Sequence, residues 1–235
     1  TKTDATNNAL LWSTYIGGSG VEYSCQSVLE AGGTLVVAFG SSGTTPGTPV
    51  LIGTRGSTDL SVVRLASDGT ALLNSVEAGG TSSDYGHGIT KLANGNFAVV
   101  GSTNSSSGWP ALGGAQPSSA GSSEAYVLVL DNALSTALGF SYMGDNSVDA
   151  GNSVAGDSAS NIYVHRTTLV SSSPAPLIAG PGGNYDLAVS KLNSTATSFI
   201  YNVRIGGTST DSTAGTCDTC SPQNFYHGAD EMISV

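Results

Sequence analysis

At 235 residues the chain can hold one large domain or two small ones, and its 39% apolar content is enough for a packed core. Thirty-two glycines and only 10% charged residues leave too few helix formers for long helices, and no sustained 3.6-residue apolar period is present. A formal charge of −10 from seven basic and seventeen acidic residues removes the electrostatic footing for nucleic acid and for anionic lipid surfaces, so neither is expected as a partner. No run of about 18 apolar residues exists, so membrane insertion by a helix is not expected either.

The first eight residues read as a tail, without the charged-then-apolar order of a signal peptide. From residue 9 onward short apolar segments alternate with turn chemistry, which predicts an all-β fold. A strand over 10–16 runs into the glycine pair Gly17-Gly18, and the same strand–glycine ending returns in "ALLNSVEAGG", "LGFSYMGD" and "FIYNVRIGG". The steps from Gly17 to Gly79, Gly144 and Gly206 are 62, 65 and 62 residues. A second marker, an acid opening an apolar strand, keeps the same period: "DLSVVRL" from Asp59, "EAYVLVL" from Glu124 and "DLAVSKL" from Asp186 lie 65 and 62 residues apart. A hairpin also recurs, in "QSVLEAGGTLVVAFG", "GITKLANGNFAVVG" and "NSVAGDSASNIYVHR".

Each unit therefore contains four strands, which in the middle unit are expected at 88–92, 96–101, 125–130 and 137–143. Asn94-Gly95 suits a tight two-residue loop and Asp68-Gly69 a turn before the fourth strand. Proline-, serine- and glycine-rich stretches separate second from third strands and read as loops. Val127-Leu128-Val129-Leu130 is apolar on both faces, so its sheet needs a neighbour on each side. Four-stranded sheets repeated at constant period and covered on both faces describe the blades of a β-propeller.

"WSTYIGGSGVEY", "GGTSSDYGHGITKLANGNFAVVGST" and the acid-led third strand resemble the seven-bladed β-propeller repeat (SBBP-type) of secreted bacterial proteins, over residues 9–235. The resemblance implies an extracellular or cell-surface location and a modular parent protein, and carries no catalytic residue set. The third unit departs from the pattern: Asp145 stands for the second glycine, Ala150 for the tyrosine, and His165-Arg166 for Val/Thr-Gly. The expected organisation is three blades at about 19–80, 81–145 and 146–207, then a partial blade at 208–235 ending on a first strand over 231–235. Three blades and two flanking strands do not close a ring, so further blades, from a longer chain or from other chains, are expected as partners.

Candidate chemistry is sparse. Gly156-Asp157-Ser158, with His165 nearby, resembles a hydrolase nucleophile loop, but it falls on the hairpin turn of its unit and reads best as local turn bonding. Asp145, Asn146, Asp149, Asn152 and Asp157 offer oxygens to a structural calcium, without the close alternation of a calcium loop; no other cofactor is expected. Asp59, Glu124 and Asp186 form a periodic carboxylate set, either a cation or ligand site or strand-opening acceptors of backbone N–H groups. Trp109, beside Pro110, serves either as packing or as a platform for a sugar; Trp12 and Cys25 read as packing residues and His87 as a blade-edge residue. An insertion at about 208–226 carries Cys217 and Cys220, read first as a disulfide, then as free thiols, then as half of a zinc site with His227. The leading functional expectation is a non-enzymatic scaffold that presents loops for adhesion or protein interaction. A carbohydrate-binding propeller and an enzyme whose catalytic groups lie outside this segment are the alternatives.

Overall fold

The computed structural model describes residues 1–6, 9–169, 177–179 and 185–207, and among these every regular element is a strand. β1 (Lys2–Thr3) and β2 (Leu10–Trp12) make a small two-stranded ribbon. Sheet I contains β3 (Glu22–Leu29), β4 (Leu35–Ser41), β5 (Val50–Gly53), β6 (Asp59–Leu65) and β7 (Leu72–Gly79), in the order β3-β4-β6-β7-β5. Sheet II contains β8 (Asp84–Lys91), β9 (Phe97–Thr103), β10 (Glu124–Leu130) and β11 (Ala137–Met143), in chain order across the sheet. Sheet III contains β12 (Asp149–Gly156), β13 (Ile162–Leu169), β14 (Leu177–Ala179), β15 (Tyr185–Leu192) and β16 (Phe199–Ile205), in the order β12-β13-β15-β16-β14.

The four-strand meander is thus present three times. β5 and β14 are additions: each lies inside a stretch read from its prolines and glycines as loop, and each pairs in parallel with the end of a fourth strand. The expected strand over 10–16 is shorter, ending at Trp12, and the first strand of sheet II begins at Asp84 rather than 88. The inserted segment, Cys217, Cys220, His227 and the strand expected over 231–235 lie outside the described residues.

Side-chain alternation divides sheet II between two cores. Phe97, Val99, Tyr126, Leu128 and Leu130 join Val36, Ala38, Leu60 and Val62 of sheet I. Their immediate neighbours Ala98, Val100, Ala125, Val127 and Val129 join Ile162, Val164 and Leu192 of sheet III. Sheet II is therefore a middle layer with apolar residues on both faces, which is why β10 reads as an unbroken apolar run. Each of its large aliphatic side chains contributes roughly 1.5–3 kcal/mol by leaving water. A third cluster, Val37, Phe39 and Val63, lies on the opposite face of sheet I and is covered by Ile16 and Leu35.

One turn recurs at the hairpins. Gly33, Gly69, Gly95, Leu134, Ser160 and Ala196 each donate a backbone N–H to the residue three before, and all six have positive φ. At 92–95 this is a turn with one left-handed residue, Gly95 (φ +91°), instead of the two-residue loop expected from Asn94-Gly95.

Cross-strand register corrects the sequence comparison at the end of the second strand. Phe39, Gly101 and Arg166, not Gly40, Gly101 and Arg166, occupy the same place, opposite Ser61, Tyr126 and Ala188. The large residue switches strand from sheet to sheet: Phe against Ser, Gly against Tyr, Arg against Ala. Volume is conserved across the pair rather than at either position.

Candidate functional site

First and third strands start, and second strands finish, at the same end of each sheet. Register then lines up an acid, a hydroxyl and an acid across every sheet: Glu22–Ser41–Asp59, Asp84–Thr103–Glu124 and Asp149–Thr168–Asp186. The third-strand acids are the set singled out from sequence. The first-strand set was missed, although Glu22, Asp84 and Asp149 repeat at 62 and 65 residues, the period already in hand.

The first-strand acids make a clasp with the preceding glycine turn. Gly18 N–H donates to Glu22 Oε1 at 2.8 Å, Gly80 N–H to Asp84 Oδ2 at 2.7 Å and Asp145 N–H to Asp149 Oδ2 at 3.0 Å, always from four residues earlier. Asp84 also accepts from the Thr103 hydroxyl, from Ser105 Oγ at 3.0 Å and from Trp109 Nε1 at 3.2 Å. Burial pushes the Asp84 carboxyl up, and these donors oppose the rise.

The third-strand acids also have partners, in unequal number. Asp59 accepts from Gly56 N–H at 3.0 Å, and Glu124 from the N–H groups of Ala120 and Gly121, Ser119 Oγ and Gln116 Nε2. Asp186 faces Arg204 Nε at 3.3 Å. Burial pushes Asp59 up to about 6, helped by the neighbouring charges of Asp84 and Glu77 and opposed by Gly56 N–H and Arg55. Asp59 and Asp84 meet around Gly79: a Cβ there would stand 2.2 Å from Asp59 Oδ1 and 2.9 Å from Asp84 Oδ2. Only glycine lets the two carboxylates close on the same piece of backbone.

Sheet III breaks this symmetry at the three departures read from sequence. Arg166 is sealed (side chain 2% exposed) and donates Nη1–H to Asp149 Oδ1 at 2.8 Å, with Nη2 3.3 Å from Asn202 Oδ1. Asp145 and Glu124 add negative charge around it. Gly151 and Ala188, the latter where sheet II carries Tyr126, are the small residues paired with it on the flanking strands, and Ala150, where sheets I and II carry Tyr23 and Tyr85, pairs with the next residue, Thr167. Burial pushes Asp149 up to about 6, against the pull of Arg166.

The remaining candidates fall as follows. Trp109 is buried, stacked on Phe140 at 4.6 Å and close to Tyr126, with its N–H on Asp84 and Thr103, so the sugar-platform alternative is corrected: its ring belongs to the core shared by sheets I and II. Asp157 takes the N–H groups of Ala159 and Asn161 and closes the hairpin turn, while His165 pairs with Ser153 along the strand. Of the suggested calcium oxygens, Asp157 is separated from Asp149 by the length of β12, an eight-residue strand of roughly 25 Å. Among the described residues no cluster of three His, Cys, Asp or Glu side chains is arranged to hold a metal.

Cys25 corrects another expectation, since it is exposed rather than a buried small hydrophobe. His87 lies on β8, the edge strand of sheet II, as expected; it is buried there, and its Nδ1 meets Gly151 O at 3.0 Å, tying sheet II to sheet III. Trp12 covers Gly69 and donates Nε1–H to Ser67 O at 3.1 Å. The sequence matches no family model and no curated protein.

Proposed function

We propose that this chain is a stretch of a β-propeller, secreted or displayed at a cell surface, that acts as a non-catalytic scaffold and presents its loops to protein partners. The observation that carries the reading is the middle position of sheet II, apolar on both faces, each face meeting the opposite-sided face of its neighbour. Repetition of that packing relation is how blades stack.

The acids fit structural duty better than turnover. Asp84 and Glu124 spend their lone pairs on backbone and side-chain donors, and a general base needs a free pair directed at substrate. The acid–hydroxyl–acid row also recurs in all three sheets, as expected of a fastener. Partner recognition then falls to the long second-to-third-strand connections, residues 42–58 and 104–123, which lie at the carboxylate end.

The test is binding by the immobilised chain to extracellular-matrix proteins and to polysaccharides. The scaffold reading expects protein binding that is lost when 46–49, which leaves the buried Thr45 in place, is exchanged for a glycine–serine linker of equal length, with the melting temperature little changed. Binding confined to polysaccharides, or catalytic conversion of any of them, would overturn it.

A further inference from the structure

The seam between sheets II and III changes character along its length. Val100 on β9, Ala125 on β10, Met143 on β11 and Val164 on β13 belong to the apolar core that joins the two sheets. Two residues further toward the carboxylate end stand Ser102 and Arg166, on the same side of their strands, and Ser123 and Asp145, just beyond the ends of theirs. All four are sealed from solvent, at 2–5% exposure. Each keeps one side-chain polar atom with no hydrogen-bond partner in the chain: Ser102 Oγ, Ser123 Oγ, Asp145 Oδ2 and Arg166 Nε.

Asp149 gathers three of these residues to one place. Its N–H donates to Ser123 O at 3.0 Å, and its carboxylate accepts from Asp145 N–H at 3.0 Å and from Arg166 Nη1 at 2.8 Å. Ser102 arrives from the facing sheet. Its neighbour Gly101 lies against Gly151, the register partner of Arg166, so closely that a Cβ on Gly151 would stand 3.1 Å from Gly101 O. The corresponding end of the seam between sheets I and II is filled by rings whose polar atoms are satisfied: Tyr126 Oη donates to Tyr85 O at 3.1 Å, Tyr142 Oη to Ser105 O at 2.9 Å and Trp109 Nε1 to Asp84 at 3.2 Å. A buried polar atom left alone costs at least what a lost hydrogen bond does, and folded chains satisfy such atoms with ordered water where no protein group reaches.

We propose that the carboxylate end of the seam between sheets II and III is an internal water site, where about one or two bound water molecules join Ser102 Oγ, Ser123 Oγ, Asp145 Oδ2 and Arg166 Nε. The set combines an N–H donor, a carboxylate acceptor and two hydroxyls, and water, donor and acceptor at once, satisfies all three kinds. Asp145, Asp149 and Glu124 around Arg166 repel an anion, and the guanidinium repels a cation. The bound water joins the two sheets by hydrogen bonds at the level where their apolar contact ends. The site needs only sheets II and III packed as described, whatever the chain presents to partners.

High-resolution crystallography of the full chain tests the site. We expect solvent density within about 2.6–3.2 Å of three or more of the four atoms. No density there, or an ion at metal–oxygen distances of about 2.3–2.6 Å, overturns the water site. Thermal unfolding of Ser102→Ala and Ser123→Ala gives an independent readout with a definite sign. Deleting a hydroxyl that has no partner relieves a penalty and raises the melting temperature, whereas deleting one that holds water removes a hydrogen bond. We expect each variant to melt about 2–4 °C below the parent. Melting at or above the parent temperature in both variants overturns the proposal.

Discussion

Arg166 and Asp149 meet at 2.8 Å with side chains 2% and 0% exposed, a sealed ion pair in a sheet whose two sister sheets have Phe39 and Gly101 at the arginine's place. Such a pair pays for its desolvation only while both partners stay. Arg166→Met leaves the Asp149 carboxylate buried beside Asp145 and Glu124, and urea unfolding should show a loss of about 3–5 kcal/mol. The double variant Arg166→Met, Asp149→Asn should recover a good part of that loss. A single variant as stable as the parent would mean that the pair does not hold sheet III in place.

The pH dependence has a definite sign. Asp59 and Asp149, both raised to about 6 from an ordinary value near 4, bind protons more tightly folded than unfolded. Their stabilisation is full below about pH 4 and is lost as pH rises through about 6, with a slope of up to about 1.4 kcal/mol per pH unit for each. Asp157, held low by its hydrogen bonds to Asn161, and Asp68, held low by the Thr70 N–H, work in the other direction and withdraw stability only at still lower pH. Chemical denaturation at a series of pH values should therefore place the maximum on the acid side, near pH 4–5. Asp59→Asn, which keeps an acceptor for Gly56, should flatten the decline between pH 4 and 6.

Two glycines separate strain from crowding. A Cβ at Gly95 meets nothing within 4 Å, so Gly95→Ala should cost only the left-handed backbone, about 1–2 kcal/mol. At Gly79 φ is unremarkable but a Cβ would strike the Asp59 and Asp84 carboxylates, so Gly79→Ala should cost about 3 kcal/mol, the upper end of the usual range of about 1–3 kcal/mol for a buried overlap. Thermal melts of the two variants under identical conditions give the order, and a Gly95 variant less stable than the Gly79 variant would contradict the shared carboxylate seat.

Trp109 should behave as a core residue. Trp109→Ala should lose about 3–5 kcal/mol through the cavity beside Phe140 and Tyr126. Trp109→Phe should lose less, chiefly the N–H to Asp84 and Thr103, about 1–2 kcal/mol. Equilibrium unfolding reads both, and an alanine variant within 0–1 kcal/mol (about the surface-substitution range) would return Trp109 to the surface.

Much of the strand inventory was legible because it depends on local chemistry at a fixed period. The acid-led third strands appear at Asp59–Leu65 and Glu124–Leu130 as expected, and one residue early at Tyr185–Leu192. β5 was hidden because a parallel strand on a sheet edge carries no alternation of its own and lies among prolines. The carboxylate row was half legible. Asp59, Glu124 and Asp186 announce themselves by opening apolar runs, whereas Glu22, Asp84 and Asp149 precede mixed stretches such as "DYGHGITK" and were not recognised as a set, Asp149 being read only as a calcium oxygen.

The sequence by itself determined the all-β class, the spacing of the repeat and the four strands of each unit, because period, turn residues and apolar runs act over a few neighbours. Only the tertiary structure decided that Asp84 is fastened by Gly80, Thr103, Ser105 and Trp109, that Trp109 faces inward, and that Arg166 shares its place with a phenylalanine and a glycine. The reason is physical. Register and packing depend on which side chains fill a common volume across strands, so a tyrosine on one strand and a glycine on the next are a single choice that no one-dimensional spacing records.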